Sequence, residues 1–172
     1  MTNTVLIVMG VSGVGKSTIA ESLNTHLRWP YQEGDDLHPP ANVEKMKHHI
    51  PLTDEDRWPW LDSVKAWIDA RVAAGEPGMI TCSALKRIYR DRLIAGRPMV
   101  RILYLRADVK VLEDHLAHRT GHFMPPDLLA SQLKTLEEPA ADENPITVQV
   151  DGEVEDTVRA ILTALQPVLS AP

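Results

Sequence analysis

Three features of the sequence predict an α/β fold, a parallel sheet with helices on both faces. The apolar run VLIVM at 5–9 passes straight into Gly10-Val11-Ser12-Gly13-Val14-Gly15-Lys16-Ser17, then into helical spacing with Ile19, Leu23 and Leu27 on one side. Four more strand-like segments follow at 30–33, 78–82 (GMITC), 100–105 (VRILYL) and 146–150 (ITVQV). Stretches with apolar residues every three or four positions separate them, and strands alternating with helices imply parallel pairing through right-handed crossovers.

Taken in order, the first strand is apolar without a break, as a strand buried on both faces must be. The loop after it satisfies G-x-x-x-x-G-K-[ST], and its place between strand and helix is the context of a phosphate-binding P-loop. Its glycines let the backbone approach a ligand closely, and its N–H groups join those of the helix N-terminus in a nest for anions. Lys16 adds a point charge for β/γ-phosphates, and the Ser17 hydroxyl is placed to ligate Mg²⁺. A nucleoside triphosphate or something very like one is expected, with Mg²⁺, held by Gly10, Ser12, Gly13, Val14, Gly15, Lys16, Ser17 and Thr18. The plain alternative is a glycine-rich turn.

The segment at 30–33 is short and weak; the later three are β-branched and bounded by Gly, Pro or Asp. Helical stripes run through Leu61, Val64, Ile68 and Val72, then Leu85, Ile88 and Tyr89, then Val109, Leu112 and Leu116. Leu129, Leu133 and Leu136 continue them, and Val154, Val158, Ile161, Leu165 and Val168 form the longest. Thr53 and Asp108 stand where N-caps belong. Pro39-Pro40, 48–51 and 124–126 mark bends, and a single domain over 1–172 is expected.

Composition narrows the function. At 44% hydrophobic and 24% charged, the 172 residues are those of a soluble globular chain. A net charge of −6 argues against nucleic acid as the main partner. The single Cys82 suits a reducing compartment, and no signal peptide or membrane span is indicated, so the cytoplasm is expected. An acidic protein that grips phosphate must concentrate its cations locally.

Ligands in such sheets bind beyond the carboxyl ends of the strands, so the chemistry should follow them. After the second strand comes Glu33-Gly34-Asp35-Asp36-Leu37-His38-Pro39. Asp35 could take a substrate hydroxyl proton or hold Mg²⁺ through water, with Gly34 permitting close approach, while Asp36 caps the following turn. Arg57, crowded by Trp58, Pro59 and Trp60, either holds an anionic group or stacks on indole. Ser83 either caps the next helix or binds a metal-bound water. Lys86, Arg87, Arg90 and Arg92 are four cations in seven residues, some of which must face solvent. Arg119, with Gly121, His122 and the Pro125-Pro126 pair, reads as a lid over about 118–136 closing Arg119 over the phosphates. His122 is a ligand contact or a structural residue.

Six strings, GVSGVGKST, DDLHP with NVEKM close behind, PLTDEDRWPWL, CSALKRIYRD, GHFMPPDLLASQ and LEEPAADE, stand in one order from the P-loop to about Glu143. Together they resemble the gluconokinases, small P-loop kinases that phosphorylate D-gluconate with ATP. The resemblance implies a three-layer P-loop fold of the nucleoside-monophosphate-kinase and shikimate-kinase type, with five parallel strands and a lid, usually as a homodimer. It implies transfer to the 6-hydroxyl, giving 6-phosphogluconate for the pentose phosphate or Entner–Doudoroff routes. By the same resemblance Asp35 is the base and Arg119 the lid arginine. His38, Lys45, Arg57, Arg90, His122 and Gln132 are expected to line the sugar-acid pocket. Gluconate, a linear polyol with one carboxylate, calls for a cationic fork and several hydrogen-bonding side chains.

Three positions depart from the family pattern. Glu33 stands where Asp is frequent, which argues against a direct metal role. His49 replaces a usual Gly, so a turn needing positive φ must tolerate a side chain. His115 stands where the lid helix commonly carries Arg. Two other readings are a kinase for another hydroxy acid such as shikimate, and a nucleotide-dependent regulatory protein.

Overall fold

The run Val5–Met9 is strand β1, and all five residues are buried. The computed structural model, which describes residues 2–117 and 126–170, explains why the run has no polar break. Leu6 and Val8 face one apolar layer, while Val5, Ile7 and Met9 face the other. β1 is flanked in parallel by β3 (Gly78–Thr81) and β4 (Val100–Arg106), with Val5 opposite Gly78 and Val100. β2 (Tyr31–Glu33) and β5 (Ile146–Gln149) complete a five-stranded sheet of order β2-β3-β1-β4-β5, every pairing parallel. Each strand falls within a residue of its sequence-based bounds.

The helices follow the alternation of β1. On the Leu6 side pack α1 (Lys16–Leu27) and α7 (Val154–Leu169), joined by Leu112 of α5 (Val109–Ala117) and Leu129 of α6 (Pro126–Thr135). On the Val5 side lie α3 (Asp54–Ala74) and α4 (Arg87–Ile94). Among the described residues no helix is long and apolar enough to cross a membrane.

Several local expectations are met and others corrected. Thr53 caps α3 in a capping box with Asp56, so α3 starts where the sequence placed it. At Pro39-Pro40, expected as a bend, Pro40 opens α2 (Pro40–Lys47), since proline suits a first turn whose N–H groups lack partners anyway. The stripe through Leu85 and Ile88 does not hold. Leu85 precedes α4, Ile88 is exposed, and the buried positions of α4 are Tyr89, Arg90 and Leu93. Nor does Ser83 cap α4; the Arg87 N–H donates to Glu137 Oε1 at 3.0 Å instead. His49 does adopt φ 58, the left-handed conformation its position demands.

The chain leaves β1 toward β2 and β3 on one side and later fills β4 and β5 on the other. The crevice at such a reversal lies beyond the carboxyl ends of the strands, where the glycine loop sits.

Candidate active site

The glycine loop turns from β1 into α1 through Gly15 at φ 94, a value that side-chain-bearing residues rarely take. Lys16 then opens the helix, and its Nζ folds back to donate to the carbonyls of Gly10 (2.8 Å) and Val11 (3.3 Å). His115 of α5 reaches the same loop, with its Nδ1 2.7 Å from the Gly13 carbonyl. A carbonyl only accepts, so that nitrogen carries the proton and Nε2 is left for a second partner. Between the loop, His115 and the turn after β5 lies a cavity of about 360 Å³, lined by Gly13–Gly15 on one side and by Gly152, Glu153, Val154 and Thr157 on the other. Thr18 also lines it.

Ser17 points to the far side of the loop. Its hydroxyl donates to Glu33 Oε2 at 2.7 Å, an oxygen that also accepts from the Tyr31 hydroxyl at 2.8 Å. The other carboxylate oxygen accepts from Thr81 Oγ1 at 2.7 Å, and Thr81 Oγ1 in turn accepts the Gly34 N–H at 3.1 Å. Burial and the Glu33 charge push the Tyr31 phenol well above its ordinary value, so it remains a donor. Glu33 is the residue whose part the sequence understated. A ligating hydroxyl whose proton is held by a carboxylate presents its lone pairs outward, the arrangement that a hard cation needs. Among the described residues no group of three acidic, histidine or cysteine side chains gathers as a metal cage.

Past Glu33 the chain must come very close to β3. A Cβ at Gly34 would lie 1.9 Å from the Thr81 carbonyl, so only glycine fits, and Asp35 follows directly. Asp35, His38, Arg57, Ser83 and Gln132 line a second cavity of about 210 Å³ together with Ser12 and Lys16 of the glycine loop. Met46, Ile50, Pro51 and Leu52 give it an apolar side. Trp60 is its floor, donating through Nε1 to the Gly34 carbonyl at 2.8 Å and stacking on His38 with centroids 4.2 Å apart and planes 15° from parallel. His38 Nδ1 accepts from Asn42 Nδ2 at 3.2 Å, which leaves the proton of the neutral ring on Nε2. Burial, helped by the Arg57 charge and opposed by Asp35, holds His38 below its ordinary pKa. At neutral pH it is therefore an uncharged hydrogen-bonding group.

Arg57 Nη1 donates to the Tyr89 hydroxyl at 3.1 Å, and its guanidinium lies 5.7 Å from the centre of the Tyr89 ring. Tyr89 in turn donates to Asp54, which also accepts from Lys86 Nζ at 3.0 Å. These hydrogen bonds, from Tyr89 first and then Lys86, hold the Asp54 carboxyl below the usual carboxylate range. Arg57 is thus braced on tyrosine, and it is Arg92 that lies over indole, 5.1 Å from the Trp58 ring. Beneath the site Cys82 is wholly buried, and burial pushes its thiol up to about 12, which leaves it inert.

Not every expected residue reaches the pocket. Lys45 is drawn to Asp56, with Nζ 2.7 Å from Oδ2, and does not line the cavity. Arg90, expected at the sugar acid, is fully buried in an ion pair with Glu143. Gln132 does line the cavity, but its amide is engaged on Ser12, accepting from the backbone N–H at 2.7 Å and donating to the hydroxyl at 3.0 Å. Arg119 and His122 lie outside the described residues, as does the first part of the expected lid, 118–125.

No protein-family model matches the chain. It is 51% identical over 148 residues to the gluconokinase of Gluconobacter oxydans, an alignment covering 86% of this chain and 82% of that one. It is 39% identical over 163 residues to the thermoresistant gluconokinase of Escherichia coli, covering 94% and 93%. Among solved structures it resembles a gluconokinase from Sinorhizobium meliloti at TM-score 0.88 and 42% identity, covering 96% and 93% of the two chains. An APS kinase from Mycobacterium tuberculosis (TM-score 0.66, 15% identity) and a shikimate kinase from Aquifex aeolicus (0.61, 13%) share the fold, covering 95% and 98% of this chain and 97% and 100% of theirs.

Proposed function

The chain belongs to the gluconokinase family, and on that footing we propose that it transfers the terminal phosphoryl group of ATP to the 6-hydroxyl of D-gluconate, releasing ADP and 6-phosphogluconate. One observation carries this reading. Two cavities meet at a single glycine loop, one bounded by Gly13–Gly15 and the turn after β5, the other by Lys16, Asp35 and Arg57. A nucleotide in the first would extend its phosphates along the N–H groups of the loop toward an alcohol held in the second.

In this reading the loop N–H groups and Lys16 bind and orient the triphosphate, which supplies most of what phosphoryl transfer asks of a protein. Lys16 exchanges its two carbonyl partners for phosphate oxygens. The Ser17 hydroxyl, its proton on Glu33, would hold Mg²⁺, which when bound neutralises charge on the phosphates. Arg57 takes the gluconate carboxylate, and neutral His38 donates from Nε2 to a sugar hydroxyl. Asp35 accepts the 6-hydroxyl proton as the new phosphorus–oxygen bond forms and the bond to ADP breaks. Arg119 closes over the phosphates. The enzyme works as a cytoplasmic homodimer.

ADP release measured with gluconate, related aldonates and shikimate tests the reading. Gluconate should stimulate ADP release far above the others. Slow ATP hydrolysis indifferent to all of them would overturn the kinase reading in favour of a nucleotide-dependent regulatory protein.

A further inference from the structure

The loop that brings Ser83 to the acceptor cavity bends at Ala84, a wholly buried residue at φ 45. That left-handed conformation is costly for any residue with a Cβ. What holds it is visible. The Ala84 carbonyl accepts from Arg90 Nη1 at 2.9 Å, and the other edge of the same guanidinium forks onto Glu143, Nε to Oε1 at 2.6 Å and Nη2 to Oε2 at 3.1 Å. The side chains of Arg90 and Glu143 are 0% and 3% exposed. Glu143 is itself fixed, since its Oε2 accepts the Ala140 N–H at 2.8 Å. Glu137 ties the same segment to the loop again, its N–H donating to the Leu85 carbonyl at 2.8 Å.

A buried ion pair is by itself weak evidence for stability, because taking both charges out of water offsets much of their attraction. This one has a third contact, on the carbonyl of a strained residue, and the next residue back lines the cavity. We propose that Arg90 and Glu143 are positioning residues for the phosphoryl acceptor: they hold the left-handed bend at Ala84 and so set Ser83 against the substrate, without touching it. This rests on reading the Asp35–Arg57 cavity as the gluconate site. The nucleotide cavity is lined by other elements, the glycine loop and the turn after β5, so the clamp acts on one substrate and not the other.

The test compares wild type, Glu143→Gln and Arg90→Lys, each variant with and without Ala84→Gly, in an ADP-release assay that varies gluconate and ATP separately. Glycine takes positive φ without steric cost, so Ala84→Gly makes the clamp less necessary. Glu143→Gln should lower kcat/KM for gluconate about tenfold or more, as misplaced contacts do, and leave KM for ATP within about twofold. Adding Ala84→Gly should recover at least about threefold of that loss. An equal loss toward both substrates, no recovery with glycine, or wild-type kinetics in Glu143→Gln would each overturn the proposal. Should Glu143→Gln not fold, Arg90→Lys, which keeps the charge and loses the fork, carries the same expectation. A crystal structure of the clamp variant gives a substrate-independent readout, because Ala84 should leave the left-handed region. Failure of wild type to use gluconate would therefore sink the functional reading and not the clamp.

Discussion

Glu33→Gln isolates the carboxylate behind Ser17 with little change of shape. Three hydroxyls donate to Glu33: Ser17 and Tyr31 to one oxygen, Thr81 to the other. An amide has one oxygen. If it faces Ser17 and Tyr31, both bonds survive but lose their charge assistance, about 1 kcal/mol each given roughly 1.5–3 kcal/mol for charged and about 1 for neutral hydrogen bonds. The amide nitrogen then meets Thr81 Oγ1, which already accepts the Gly34 N–H and is left with no acceptor there for its own proton. With roughly 1–3 kcal/mol for that unsatisfied buried hydroxyl, the sum is about 3–5 kcal/mol. Of it, the roughly 1 kcal/mol that falls on Ser17 should weaken the apparent Mg²⁺ affinity about fivefold. Two measurements divide the total: activity against Mg²⁺ at saturating ATP and gluconate, and thermal unfolding without nucleotide. The second should show a Tm lower by about 6–20 °C for the whole-network loss, at about 2–4 °C per kcal/mol in a chain of this size. A Tm drop with Mg²⁺ dependence within about twofold of wild type would make Glu33 a purely structural acceptor and refute the argument.

Other expectations follow from the same geometry. Asp35→Asn should cut kcat by about 10²–10⁴ while ATP affinity stays near wild type, and near-normal kcat would remove Asp35 as the base. Arg119→Ala should lower kcat by about 10³ or more if the residue stabilises the transferring phosphoryl group; a loss under about tenfold would make it a binding residue only. His38 titrates below its ordinary 6.5 when folded, so as the pH falls the unfolded chain takes that proton first. Its contribution is present at neutral pH and is lost as pH drops through 6.5 toward the folded value. His38→Phe, which keeps a ring over Trp60, should flatten the decline in denaturant stability between roughly pH 7 and 5.

What could be read from the chain alone was whatever neighbours in sequence decide. The strands are short apolar runs ended by turn residues, and the glycine loop is one contiguous string, so both were legible to within a residue. The departure at His49 was legible as well, because a positive φ is a property of one residue. Relations across the fold were not. Nothing in the local pattern joins Ser12 to Gln132, 120 residues apart, or Arg90 to Glu143, 53 apart. Gln132 and Arg90 were both expected to face the sugar acid, and in the fold the amide sits on the glycine loop while the guanidinium is buried.

The cation-rich stretch after β3 shows why counting charges misleads in an acidic protein. Lys86, Arg87, Arg90 and Arg92 are close in sequence and look like an anion site, yet each meets its own carboxylate: Asp54, Asp142, Glu143 and Asp62. Lys45 is likewise taken by Asp56. With 24 acidic residues against 18 basic ones, a cation on this surface finds a carboxylate unless the fold prevents it. Arg57 is an instance of such prevention. Asp54, its nearest acid, lies 3.9 Å away and is already hydrogen-bonded by Lys86 and Tyr89, while Tyr89 braces Arg57 from its ring and hydroxyl. The guanidinium is thus steadied by a neutral phenol and keeps donors for an anion in the cavity it lines. In the proposed reading, what marks the anion-binding arginine is an oriented cation whose nearest carboxylate is already engaged, and that can be judged only when the pairings across the fold are known.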